Sequence, residues 1–181
     1  MPQYTAGDLL PDFSYQTPFQ SGLSIHNTVQ QAQGKTAIVF LRYYGCTLCQ
    51  LGLHAYAQAY GRITQNGGQL LVVLQSSPEK LAEQLQPESF PFPIICDPDK
   101  KLYQLFSISS APSALRMMSP SAIAKGVKAM AKGYKHGAYE GDELQLPAAF
   151  VTTRDCRLTY VHYGRDAGDA PTADMLVSLL A

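Results

Sequence analysis

The chain has 181 residues, 46% hydrophobic and 15% charged, with 14 Lys+Arg balanced by 14 Asp+Glu. That length suits one globular domain spanning 1–181, and the missing basic excess argues against a nucleic-acid binder, because phosphate affinity rests on such an excess. The longest apolar stretch, Ala37 to Leu41, is far too short for a membrane span, and Met1-Pro2-Gln3-Tyr4 lacks a signal peptide's basic segment and apolar core, so a cytoplasmic, reducing compartment is the expectation.

The first thirty residues, with Pro11-Asp12-Phe13 and Leu23-Ser24-Ile25-His26, read as loops and brief edge strands. Lys35 to Arg42 is apolar and β-branched without alternation, the pattern of a central strand covered on both faces. After Gly45 a helix is predicted from Cys49, Leu53, Tyr56, Tyr60 and Ile63, which recur at steps of four and three; Asn66-Gly67-Gly68 ends it. Gln69 to Gln75 is a second buried strand, and Ser77-Pro78-Glu79 opens a helix with a cap, a proline in the first turn and an early acid. A shorter strand follows at 90–95, then an amphipathic segment from Leu102 to Phe106.

From 107 to 146 the rhythm breaks. This Ser-, Gly-, Met- and Ala-rich stretch reads as an insertion over one end of the sheet, holding one helix after Ser119-Pro120. Ile123, Val127 and Met130 mark one side of that helix, and Lys125, Lys128 and Lys132 the other, solvated side. Met117, Met118 and Met130 could form an adaptable apolar lid. Ala148 to Thr152 and Leu158 to Tyr163 read as a hairpin, and Pro171 to Leu180 as a final helix. The order implies an α/β fold, a three-layer α/β/α sandwich on a mixed sheet.

Four cysteines are too few for a disulfide scaffold. Cys46-Thr47-Leu48-Cys49 lies where a buried strand hands over to a helix, and there the unpaired N–H groups and the dipole favour thiolate over thiol. Two sulfurs within one helical turn can close a small disulfide, so one attacks and the other resolves. A zinc site is disfavoured because Cys96 and Cys156 are isolated; both read as bystanders, Cys156 in an accessible hairpin loop. No metal or cofactor is called for. His54 points away from the pair, His162 reads as structural, and Tyr43 and Tyr44 could rim a substrate surface.

These features resemble the thioredoxin superfamily, specifically its peroxiredoxin-like AhpC/TSA-type branch. The anchors are Phe40 through Cys49, Phe90 through Asp99 and Leu144 through Val151; the stretch from Lys135 to Asp169 is similar to the peroxiredoxin-like 2 proteins. The resemblance implies a thiol-dependent oxidoreductase acting on peroxides or protein disulfides, with a thioredoxin- or glutathione-type reductant and catalytic Cys46 and Cys49. A peroxiredoxin-type alignment makes Cys49 the attacking residue, with Cys46 in place of a hydroxyl residue and Arg42 in place of a proline. A thioredoxin-type alignment makes Cys46 the nucleophile, and Cys46 is favoured as nearer the helix start and more solvent-exposed. Pro147 stands near the place of the peroxiredoxins' late-strand arginine. By analogy with thioredoxins it implies a cis Leu146-Pro147 bond facing the pair, with Leu146 and Pro147 contacting substrate. Loss of that arginine favours thiol–disulfide exchange, and Arg42 is the candidate to compensate. The alternative from another class is a non-catalytic thioredoxin-fold binding module or redox sensor.

Overall fold

The computed structural model describes residues 2–181; Met1, the first residue of the N-terminal stretch read above, lies outside them. In chain order the elements are β1 (Ser14–Tyr15), β2 (Leu23–Ser24), α1 (Ile25–Gln31), β3 (Thr36–Phe40), α2 (Thr47–Thr64), β4 (Gln69–Leu74), α3 (Pro78–Gln84), β5 (Ile94–Cys96), α4 (Lys101–Leu105), α5 (Ala114–Met117), α6 (Pro120–Ala131), β6 (Ala148–Thr152), β7 (Leu158–Tyr163) and α7 (Ala173–Leu180). Five strands form one mixed sheet in the order β5-β4-β3-β6-β7: β3, β4 and β5 run parallel, while β6 and β7 pair antiparallel on the other side of β3.

β3 is central because its side chains are apolar on both faces. Ala37, Val39 and Leu41 pack with Leu53, Tyr56 and Ile63 of α2 and with Leu176 and Leu180 of α7. Ile38 and Phe40 face the other layer, where Phe40 meets Phe106 at 5.0 Å and Phe150 at 5.7 Å between ring centroids. The resulting three-layer α/β/α sandwich with a mixed central sheet is the one expected from the order of elements. Among the described residues, no helix is long and apolar enough to cross a membrane.

Two local readings are corrected. The N-terminal region holds a helix, α1, where loops and edge strands were expected. Ser24 Oγ caps it by accepting from the Asn27 N–H at 3.3 Å, and a seven-residue helix with only Ile25 and Val29 buried is too short to show a stripe. The insertion is also oriented differently. α6 contacts α2 and buries the small residues Ala122, which lies close against Gly168, and Ala129, so Ile123, Val127 and Met130 face outward at 50%, 57% and 65% exposure. Met117 is buried but Met118 is exposed, so the three methionines form no common lid; the return segment after α6 instead packs on Gly45.

Candidate active site

β3 delivers the chain to the site and its geometry is fixed from below. The Tyr103 hydroxyl reaches the carbonyl oxygens of Leu41 and Val73, and Gln75 N–H donates to Arg42 O at 2.7 Å, so the backbone entering the cysteine turn is clamped to β4. Cys46 then occupies the N-cap of α2, where a serine would often stand. Its Sγ accepts from the Cys49 N–H at 3.3 Å, and its own N–H donates to Tyr43 O at 3.2 Å. Cys49 lies one turn on, its Sγ accepting from the Arg42 N–H at 3.4 Å.

The two thiols are made unequal by their neighbours. Cys46 is lowered to about 6: the Cys49 thiol donates to its sulfur, and the Arg42 guanidinium lies beside it with Nη2 at 3.0 Å, together outweighing burial. Cys49 is pushed well up, by burial first, then by the hydrogen bond its thiol makes to Cys46 and by the charge forming there. This ordering agrees with the reading of Cys46 as the more acidic thiol, but not with the reason given for its access. Cys46 is 0% exposed and Cys49 is 4% exposed.

The cover over Cys46 is the segment returning from α6. Gly137 N–H donates to Gly45 O at 2.8 Å, and a Cβ on Gly45 would fall 2.4 Å from Ala138 O, so the two backbones touch only because Gly45 has no side chain. Gln50 Nε2 ties the turn to Lys135 O at 3.1 Å. Arg42 Nη1 donates to Glu143 O at 2.8 Å, and the buried Tyr43 hydroxyl donates to the Glu143 carboxylate while lying 2.9 Å from His136 Nε2. Glu143 and His136 are site residues that sequence reading did not single out. The signal was weak: an acid in an insertion, a hundred residues from the tyrosine it meets.

Cys49 has a different approach. A cavity of ≈ 390 Å³ is lined by Cys49, Arg42, Leu41, Gln145 and Pro147, with Lys125, Lys128 and Lys132 along α6; Cys46 is not part of it. The lysine side of α6 therefore borders a cavity beside the cysteines. A larger cavity of ≈ 510 Å³ along Phe19, Leu85 and Phe92 touches neither cysteine.

The remaining candidates separate. Arg42 and Pro147 adjoin the pair, whereas Leu146 and Tyr44 do not line the cavity. Tyr44 is anchored by its N–H to Ser76 Oγ at 2.9 Å. The expected cis bond is corrected: no cis peptide bond occurs among the described residues. Leu146 N–H is already spent on Ser109 O at 3.3 Å, and Pro147 O accepts from Gly164 N–H at 2.8 Å, so this backbone is paired within the protein. His54 stacks near Tyr134 and Phe90 without meeting either sulfur, and His162 binds Asp169. Cys156, expected in an accessible loop, is only 4% exposed because Leu10 N–H pairs with its carbonyl and the N-terminal segment covers it.

The fold and a strand-to-helix dithiol beside an arginine define a thiol-redox class of protein, and comparison with known proteins agrees. The AhpC/TSA antioxidant enzyme family model matches residues 55–166, and the chain belongs to that family. The match starts after Cys49, so it rests on the scaffold downstream of the dithiol. Peroxiredoxin 6 of Arenicola marina has the same fold at 13% identity and a TM-score of 0.68, covering 97% of this chain and 71% of that one. A peroxiredoxin-like protein from Aquifex aeolicus aligns at 12% identity and a TM-score of 0.66, covering 99% and 87%. A thiol peroxidase from Chromobacterium violaceum aligns at 14% and 0.64, covering 98% and 87%. No curated protein gives a significant match.

Proposed function

We propose that the protein is a thiol peroxidase in which Cys46 is the nucleophile and Cys49 the resolving thiol. The supporting observation is Arg42 Nη2 at 3.0 Å from Cys46 Sγ, which places a cation where both the thiolate and a bound peroxide oxygen need one. It also compensates for the arginine missing near Pro147, and so favours a peroxide over a protein disulfide as the oxidant.

Cys46 thiolate attacks one peroxide oxygen, the O–O bond breaks, and the departing alkoxide or hydroxide takes a proton to leave as alcohol or water. Cys46 is then a sulfenic acid. The Cys49 sulfur attacks it, forming the Cys46–Cys49 disulfide and releasing water made from the sulfenic hydroxyl and the Cys49 proton. An external reductant, either one thioredoxin-type dithiol or two glutathione-type monothiols, returns the pair to the reduced state by exchange and leaves as the disulfide. Access to Cys46 requires residues 136–138 to lift.

A second reading has one observation in its favour: the ≈ 390 Å³ cavity reaches Cys49, so Cys49 would attack and Cys46 resolve. Limiting alkylation of the reduced protein across pH, read by mass spectrometry, separates the two. Preferential labelling of Cys46 with a midpoint near 6 supports the first; preferential labelling of Cys49 replaces it with the second. Peroxide consumption by wild type, Cys46→Ser and Cys49→Ser tests the enzyme itself. The first reading expects no reaction from Cys46→Ser and a single turnover from Cys49→Ser. A wild type inert to peroxides and disulfides alike would leave only the binding-module alternative.

A further inference from the structure

The outward face of the insertion has a composition unlike the rest of the protein. Residues 107–139 carry Arg116, Lys125, Lys128, Lys132 and Lys135 and no Asp or Glu, within a chain whose charges otherwise cancel. The acids that follow do not neutralise them. Glu140 accepts from Ser76, Asp142 pairs with Lys100 at 2.9 Å, and Glu143 is held by Tyr43 and Arg42, so all three are turned toward the body. Among the described residues, no carboxylate lies within ion-pair distance of the five basic groups.

The same segment carries most of the exposed large apolar side chains among the described residues. Leu115 is 82% exposed, Tyr139 71%, and Met118, Ile123, Val127 and Met130 are each at least half exposed. On the 12-residue α6, Ile123, Val127 and Met130 form one stripe by their three- and four-residue spacing, and Lys125, Lys128 and Lys132 lie on the opposite side. Ala122 and Ala129 take the inward position, so the stripe has no partner within the fold.

We propose that α5 and α6 dock the protein on an anionic lipid bilayer. A helix with an apolar stripe on one side and acid-free lysines on the other complements an interface in which negative headgroups overlie hydrocarbon: the apolar side chains enter the acyl boundary while the lysine stems reach back to the headgroups. This surface role is independent of which cysteine attacks, or whether either does.

The chain contains no tryptophan, so Met130→Trp gives a unique fluorophore on the stripe. With vesicles of phosphatidylcholine and phosphatidylglycerol its emission should shift to the blue and the full-length protein should co-sediment; with phosphatidylcholine alone neither should occur. Added salt should weaken binding. Arg116→Glu/Lys135→Glu should cut the partition about tenfold or more, and Val127→Ser/Met130→Ser should abolish it. None of these side chains lines the cysteine site, so thiol titration of each variant confirms an intact fold. Equal binding to both vesicle types, or variants that bind like wild type, would overturn the proposal. So would failure to bind any vesicle together with retention on immobilised polyglutamate, which would assign the face to an acidic protein partner instead.

Discussion

Arg42 and Cys46 are four residues apart in sequence and meet through the guanidinium, with Nη2 3.0 Å from Sγ while Nη1 holds the carbonyl of Glu143 at 2.8 Å. One side chain thus joins the Cys46 sulfur to the segment that returns after α6. Arg42 is mostly buried, so its charge acts with little solvent screening.

Replacing Arg42 with Met should raise the Cys46 pKa from about 6 by about one unit or more and reduce its alkylation rate at pH 7 several-fold. Cys49→Ala should also raise it, because the Cys49 thiol is the largest stabiliser of the Cys46 thiolate. The check is the pH dependence of labelling at Cys46; an unchanged midpoint in both variants would refute this assignment of causes.

The lowered Cys46 pKa also links stability to pH. An acid whose folded-state pKa is depressed to about 6, below its ordinary value of 9.0, stabilises the fold fully above the unfolded pKa, and that contribution is lost as pH falls through the folded pKa. Reduced wild type should therefore gain stability relative to Cys46→Ser as pH rises from 6 to 8, by about 1 kcal/mol per pH unit. Serine keeps an acceptor at the N-cap, so urea unfolding of the pair isolates the titration.

Gly45→Ala should displace the covering segment, because its Cβ would lie 2.4 Å from Ala138 O, a backbone atom that cannot rotate away. The expected outcome is faster alkylation of Cys46 with about 1–3 kcal/mol lost stability. Alkylation no faster than wild type would show that these residues do not limit access.

Tyr43→Phe removes the hydroxyl joining Glu143 to His136. It should loosen residues 136–143, seen as faster amide exchange there, at a stability cost of about 1–3 kcal/mol for the lost hydrogen bonds. Exchange confined to other segments would contradict the role of this contact.

Cys96→Ala and Cys156→Ala should leave thiol chemistry intact. Burial pushes Cys96 up to about 12 and also raises Cys156, so neither forms thiolate near neutral pH. Titration of the native reduced protein with an aromatic disulfide should give the same reactive-thiol count in the double variant as in wild type.

The unbroken apolar runs of β3 and β4 can be buried on both faces only in the middle of a layered sheet, so the sequence alone determined the α/β sandwich. It also placed the cysteine pair where a strand hands over to a helix, because a helix start is a local property. Contacts between distant segments could not be read locally. Glu143 reaches Tyr43, and Gly137 covers Gly45, across roughly half the chain. The periodicity of α6 located its apolar stripe but not its direction; the burial of Ala122 and Ala129 against the body decided that. The tertiary structure alone therefore decided which cysteine is covered, which borders a cavity, and which face of the insertion meets solvent, because each depends on packing between segments that no local pattern encodes.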